Sequence, residues 1–360
     1  MTVNPKNRPL ELGAPPGWRR AATGPSVAAS PPSPRAVGSW TTGLLQVHPL
    51  RAGTSRGPPW GTVNGKNLPL EFRAPRRACS RDVSPYPLAM PELAEVEFFR
   101  KQWNCGLGQK IGAVRLHPHA RLFRGTNAAD LEKALAGRKL LRSEARGKQM
   151  LFEFSAGGWL GVHLGMTGHL RQERPDFAPG RHDHLALLQK AQTLVFSDAR
   201  QFGRVRFHHG PSAPDWWTRF PAPLTSSTFT LAVLETFLRR HGGLPIKAAL
   251  LLQDGFPGVG NWMADEMLWR AGINPHTPSG NVQGLVLRRL WRIIRWVCRH
   301  ALRVIGKDFS DPPAGWLMNE KWKRHGVCPI HKTRLQKETL RGRTTAWCIL
   351  CQGTQKANPS

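Results

Sequence analysis

Met90-Pro91-Glu92-Leu93-Ala94-Glu95-Val96-Glu97 begins the first sustained periodic pattern in the chain. Leu93, Val96 and Phe99 fall on one face at helical spacing, which predicts a helix from about Pro91 to Trp103. Glu92 and Glu95 stand in its first turn, where the helix dipole favours negative charge. Short apolar runs follow: IGAVRLHP from Ile111, KQMLFEF from Lys148, GWLGVHLGM from Gly158, LALLQ from Leu185, TLVFSD from Thr193 and GRVRFHH from Gly203. Glycines and polar turns separate them, which predicts an antiparallel sandwich. Between the first two runs, NAADLEKALAG reads as a helix capped by Asn127 and stopped by Gly137.

Residues 209–227 are rich in Pro and Ser and read as a linker. The pattern beyond them is helical, over 228–241, 245–253, 261–271 and 281–305. The last stretch, 325–352, is short and polar and carries paired metal-type ligands. The order is a β-rich domain, a helical domain and a small metal module, an α+β protein.

Upstream of Met90 the composition changes. Residues 1–89 hold 15 of the 31 prolines, 12 Lys+Arg and three acids (Glu11, Glu71, Asp82), with no lasting apolar period. Such a segment cannot bury enough apolar surface to fold, and it is expected to be disordered. It contains a near-repeat, NPKNRPLELGAP from Asn4 and NGKNLPLEFRAP from Asn64, too sparse for a solenoid. A basic arm on DNA, a transit-like leader and translated sequence upstream of the true start all fit, and the last is favoured on chemical grounds given below.

The whole chain has 360 residues and a formal charge of +29, and the part after residue 89 still carries +20. That excess points to a polyanionic partner, nucleic acid before membrane. No apolar run of roughly 18 residues exists to cross a membrane as a helix. Six cysteines in this length exclude a disulfide scaffold.

Cys328-Pro-Ile-His331 and Cys348-Ile-Leu-Cys351 are two ligand pairs separated by 16 residues. Each pair can form a tight knuckle, and two knuckles close a tetrahedron of thiolate and imidazole around one zinc ion. Four protein ligands leave no open position, so the expected Zn2+ is structural. The basic stretch between the pairs reads as a hairpin suited to a DNA backbone or minor groove. In the helical part, Gly255-Phe-Pro-Gly258-Val-Gly260-Asn261 precedes a helix, where backbone N–H groups and the helix dipole favour phosphate. Asn261 there is either an N-cap or a phosphate ligand. Arg288, Arg292, Arg295, Arg299 and Arg303 share one face of the last helix, either a solvated stripe or a track for phosphates.

The opening Pro91-Glu-Leu-Ala-Glu-Val-Glu97 resembles the N-terminus of the formamidopyrimidine-DNA glycosylase / endonuclease VIII family. The resemblance continues through Arg146-Gly-Lys148, His163-Leu-Gly-Met166-Thr-Gly, His182-Asp-His184, Asp198-Ala-Arg200-Gln-Phe202-Gly, Gly258-Val-Gly-Asn261 and Gly342-Arg343-Thr-Thr-Ala-Trp-Cys348. These motifs occur in family order and span nearly all of residues 90–360.

The resemblance implies a β-sandwich catalytic domain flanked by helices over 90–208. It implies a linker at 209–227, a helix-two-turn-helix domain over 228–318 and a zinc finger over 319–352. It implies a bifunctional DNA glycosylase and abasic-site lyase. Such an enzyme removes oxidised purines (formamidopyrimidine, 8-oxoguanine) and cuts the abasic strand by β,δ-elimination. Pro91 matches the family's nucleophile, a terminal secondary amine that is less basic than lysine and forms an imine with sugar C1′. Glu92 matches the acid that protonates the sugar. Glu95 is either a second acid or a dipole partner. Lys148 matches a phosphate-contacting lysine assigned to β-elimination, and Arg343 an arginine assigned to δ-elimination and phosphate grip. Met166, Arg200 and Phe202 match a trio that fills the gap left by a flipped base. His182 and Lys247 match positions at the DNA backbone, as Asn261 does. The partner implied is double-stranded DNA with a damaged base or an abasic site, bound by a monomer, with no membrane involved.

This chemistry favours a start at Met90, because with residues 1–89 attached Pro91 is an amide. The setting expected is a bacterial cytoplasm or nucleoid, or an organelle if the leader is a transit peptide. The sequence departs from the family at Ala94, where proline is common, and at His331, where cysteine is. Met263 stands where tyrosine is common, and the segment 307–326 is shorter and different. Two alternatives use the same fold: a non-catalytic damaged-DNA-binding protein, and an endonuclease VIII-like enzyme for oxidised pyrimidines. An RNA- or ribosome-associated zinc protein fits the charge and the zinc pairs but not the opening at Pro91.

Overall fold

The computed structural model describes residues 90–117 and 120–353; the expectations for residues 1–89 fall outside them. The first helix, α1, spans Leu93–Lys101 and follows the predicted face. Val96 and Phe99 sink into the sandwich core with Trp103, whereas Ala94 packs into the helical core, so α1 is shared by both. The strand β1 (Ile111–Leu116) follows, then helix α2 (Ala128–Leu135). Asn127 caps α2, its side chain accepting from the N–H groups of Ala129 and Asp130.

The sandwich continues with β2 (Leu140–Arg146), β3 (Gln149–Phe154), β4 (Gly158–His163), β5 (His169–Glu173), β6 (Asp183–Gln189), β7 (Thr193–Ser197) and β8 (Arg204–His209). They form two four-stranded antiparallel sheets, ordered β1-β6-β7-β5 and β2-β3-β4-β8. Met150, Phe152 and Phe154 alternate on β3 and face the opposite sheet, as period two requires. Two strands, β2 and β5, were not expected. LLRSEAR on β2 has one fully buried side chain, Leu140, and HLRQE on β5 has only Leu170. Both are edge strands, which need little apolar alternation.

Residues 209–227 are more than a linker. They hold a short helix, α3 (Asp215–Thr218), whose Trp217 is buried against Leu151 and Trp159 on the outer face of the second sheet. A Cβ on Gly161 would lie 2.3 Å from the ring of Trp216, so the indole rests on a strand with no side chain beneath it. The stretch covers a sheet face that would otherwise expose Leu151.

The helical part comprises α4 (Leu231–Arg240), α5 (Ile246–Ala249), α6 (Asn261–Ala271), α7 (Gly284–Asp308) and α8 (Met318–Lys321). The helix predicted over 245–253 ends after one turn. Gln253 closes the loop instead, donating to the carbonyls of Leu251 and Val259 and accepting from the N–H of Gly258. No helix among the described residues is long and apolar enough to cross a membrane. On α7 the arginine stripe is broken at Arg295, which turns in to the carbonyls of Thr225, Ser226 and Phe229. The chain finishes with the hairpin β9 (Gln336–Leu340) and β10 (Arg343–Trp347), then α9 (Ile349–Gln352). The turn, Arg341-Gly342, has φ of 48° and 73°, the two-residue geometry that matches the twist of a hairpin.

Candidate active site

Two glycines let three backbone segments touch. A Cβ on Gly147, in the β2–β3 turn, would lie 2.9 Å from the nitrogen of Gly258. A Cβ on Gly258 would meet Leu93 at 2.9 Å, and the N–H of Leu93 donates to the carbonyl of Gly258 at 3.0 Å. The start of α1, the turn before Lys148 and the loop before α6 therefore converge.

At this junction Glu92 is 2% exposed. Its carboxylate accepts from the N–H groups of Gly260 (2.9 Å), Trp262 (2.9 Å) and Met263 (3.1 Å) at the N-terminus of α6. These donors are the orphan groups of a helix start, so the acid from one domain caps a helix of another. Gly260 is the cap residue of α6 and Asn261 its first helical residue. The N-cap reading of Asn261 is thus corrected by one position. Glu95 accepts from the Glu92 N–H at 3.2 Å and from the indole N–H of Trp262 at 3.0 Å. Burial pushes the Glu92 carboxyl up, against the Lys148 ammonium and the α6 N–H groups, which favour its charged form. Burial and the nearby Glu92 push Glu95 up to about 7.

Lys148 follows the Gly147 turn and is half-buried. Burial lowers its ammonium; the Glu92 and Glu95 carboxylates oppose this and Arg343 adds to it. Arg343 is exposed at the start of β10, beside the hairpin turn. Pro91, Glu92, Lys148 and Arg343 thus come from both ends of the described chain and from the β2–β3 turn. Pro91 is joined to Met90 and half-buried.

Met166, Arg200 and Phe202 lie on two loops held by one buried acid. The Asp198 carboxylate accepts from the hydroxyl of Thr167 and from the N–H groups of Arg200 (3.2 Å) and Gly203 (2.7 Å). Gly165, at φ +69°, lets the loops close: a Cβ there would lie 2.5 Å from the backbone of Phe202 and Gly203. Phe202 is 52% exposed, and the guanidinium of Arg200 stacks over its ring at 4.7 Å. Asp198 lies within a motif, but its link to Thr167 spans 31 residues, which no local spacing reveals. His163, at the end of β4, has its imidazole lowered to about 4 by burial and by Lys148 and Arg206. Local spacing does not single it out either. His182 is exposed.

Lys247 corrects an expectation. It is 0% exposed, with its ammonium on Asp265 and on the carbonyl of Asn261 (3.0 Å), so it offers no surface to a DNA backbone. The apolar turn of α5 packs it under α6 rather than outward.

Cys328, His331, Cys348 and Cys351 bring their ligand atoms within 4.8 Å of one another. His331 Nδ1 lies 3.7, 3.6 and 3.3 Å from the sulfurs of Cys328, Cys348 and Cys351. Metal–sulfur and metal–nitrogen bonds of about 2.3 and 2.0 Å in a tetrahedron place ligands roughly 3.5–3.8 Å apart, so this donor set could hold a metal ion. Trp269 of α6 packs on the cluster with Leu317, Leu335 and Ala346.

Comparison with known proteins agrees with this architecture. Residues 90–205 match the family model of the formamidopyrimidine-DNA glycosylase N-terminal domain, and residues 221–311 that of its H2TH domain. A formamidopyrimidine-DNA glycosylase of Thermus thermophilus is 34% identical over 280 residues, covering 73% of this chain and 99% of the relative. One of Chloroflexus aggregans is 36% identical over 276 residues, covering 73% and 98%. A crystal structure of the Lactococcus lactis Fpg with abasic-site DNA covers 73% of this chain and 100% of its own, at 27% identity and a TM-score of 0.65. A complex of the same protein with N7-benzyl-Fapy-dG DNA gives 27% and 0.66. The fold and these relatives define a DNA glycosylase of base excision repair. The chain belongs to the formamidopyrimidine-DNA glycosylase family.

Proposed function

We propose that this protein removes oxidised purines from duplex DNA and then cuts the abasic strand as a lyase, acting as a monomer. The observation that carries the reading is the Glu92 carboxylate, fixed by three α6 N–H groups one residue from Pro91 and facing Lys148.

The Pro91 nitrogen, freed by removal of Met90, attacks sugar C1′. The C1′–base bond breaks, its electron pair leaves with the base, and the base takes up a proton. Protonated Glu92 donates to the ring oxygen, the ring opens, and a cationic imine joins Pro91 to C1′. A C2′ proton is then lost, the imine takes up the electron pair and the 3′ phosphate leaves. In the δ step a C4′ proton is lost through the conjugated imine and the 5′ phosphate leaves with the C5′–O electron pair; water then hydrolyses the imine and frees Pro91. Lys148 and Arg343 bind the flanking phosphates and neutralise the leaving groups. Arg200, Met166 and Phe202 fill the gap left by the flipped nucleotide. His182 and Asn261 bind phosphate, Asn261 through its own side chain because Glu92 takes the neighbouring α6 N–H groups. Zn2+ suits Cys328, His331, Cys348 and Cys351. It would fix the hairpin that carries Arg343 and would take no part in the chemistry.

The relatives' names and their DNA complexes support damaged-base and abasic-site substrates. The test is incision of a duplex with one abasic site. Residues 90–353 contain every hydrophobic cluster among the described residues and match the relatives over almost their full length, so a chain beginning at Met90 holds a complete fold. That chain is expected to cut and to leave phosphate at both ends of the gap, whereas the uncleaved 360-residue chain binds and cuts poorly. DNA binding without incision by the shorter chain would favour a non-catalytic damage binder instead.

A further inference from the structure

One turn below Asn261, α6 carries a second group of buried charges that the reaction above does not use. Asp265 is buried and takes the ammonium of Lys247 on Oδ1 and that of Lys321 on Oδ2. Lys321 is itself only 1% exposed. Lys321 also donates to the carbonyls of Asn261 (3.3 Å) and Thr344 (3.1 Å). Asp265 Oδ2 accepts from the N–H of Ala346 at 3.1 Å. Residues of α5, α6, α8 and β10 thus meet in one dry knot, and Thr344 is the residue after Arg343.

Two cations on one anion leave a net positive charge out of water. Burial of that kind is costly unless other charges or dipoles answer it, and apolar residues would tie the same elements together without that cost. The answering groups are those of the active site. The Asn261 carbonyl accepts from both lysines. The Glu92 carboxylate, which caps the same helix turn, favours the charged form of Lys247; Lys148 and, less strongly, Lys321 favour the charged form of Glu92.

We propose that Lys321, clasped by Asp265, is a positioning residue that pins the strand of Arg343 to the helix turn holding Glu92 and supplies a buried cation that supports the Glu92 carboxylate beside Lys148. The proposal rests on the roles given above to Glu92 and Arg343. Releasing the Thr344 carbonyl lets Arg343 drift, and a misplacement of about 1 Å in such a site can cost up to roughly 100-fold. Removing the ammonium raises the Glu92 pKa further.

The test compares K321M, K321Q and K321R with the wild type in the chain beginning at Met90. Thermal melting and zinc content report the fold. Single-turnover incision of an abasic duplex, its ratio of β to β,δ products and its pH profile report the site. K321M is expected to cut at least ten-fold more slowly, to accumulate the β product and to move the limb governed by Glu92 to higher pH. K321R should recover most of the rate. K321Q keeps a donor for Thr344 but drops the charge, so it should hold the product ratio and still move the limb. An unmoved limb in folded K321Q overturns the proposal whether or not K321M folds, and so does a folded K321M with wild-type rate and products. A wild type that leaves the abasic duplex uncut fails the parent reading and this one together. Cutting by wild type with unaltered variants fails this one alone.

Discussion

Glu92 accepts from the N–H of Gly260 at 2.9 Å across 168 positions of sequence, and a Cβ on Gly260 would stand 2.3 Å from the Glu92 carboxyl carbon. The acid and the glycine occupy one space, so the helical domain positions the acid of the sandwich domain. Gly260→Ala should therefore displace Glu92 rather than merely stiffen the loop. We expect roughly 1–3 kcal/mol lost in denaturant unfolding and at least a ten-fold loss of incision. Full activity in a folded variant would show that the acid tolerates a new position.

Glu95 gives the site a pH signature. Its carboxyl is raised to about 7 from an unfolded value of 4.5, by burial and by Glu92. Its stabilising contribution is therefore complete below about pH 4.5 and is lost as pH rises through about 7. Glu95→Gln keeps a neutral group there, so relative to wild type it should gain stability between pH 5 and pH 8, by up to roughly 3 kcal/mol. Parallel stability–pH curves for the two proteins would contradict the assignment.

The trio proposed to fill the gap, Met166, Arg200 and Phe202, should separate folding from function. Phe202 is half in solvent, so Phe202→Ala should move the melting free energy by less than about 0.5 kcal/mol. It should nevertheless slow incision of an abasic site in duplex and spare one in single-stranded DNA, where no stack needs filling. Asp198→Asn acts on both loops at once and should lose duplex incision more completely than Phe202→Ala.

Metal removal should be local. A chelator should release one zinc per chain, change the fluorescence of Trp269 and Trp347 and abolish incision. The far-ultraviolet spectrum of the sandwich and the long helices should persist. Incision that survives complete zinc loss would detach Arg343 from the reaction.

Much of this was legible in the sequence. The strands of the sandwich core, the helices α1, α2 and α6, and the Cys/His cluster that could hold a metal ion follow from apolar period, capping residues and ligand spacing. The edge strands β2 and β5 were not, since an edge strand has few apolar positions to announce it. The cover made by Trp216 and Trp217 was hidden in a Pro-rich stretch that local rules read as connection. Residues that act across the fold left no local trace. Lys321, Asp265 and Asp198 look like ordinary surface charges in the sequence, and only burial with distant partners gives them meaning. Lys247 erred in the opposite direction, a motif lysine expected at the DNA and found beneath the helix.

The nature of the nucleophile is the centre of the account. The direct measurement is borohydride reduction of a chain beginning at Met90 with a duplex carrying one abasic site, followed by mass mapping of the trapped peptide. A covalent adduct on the nitrogen of Pro91 is expected, with Met90 gone, and none from the uncleaved 360-residue chain. An adduct that maps to Lys148, or robust trapping by the chain with residues 1–89 still attached, would contradict it.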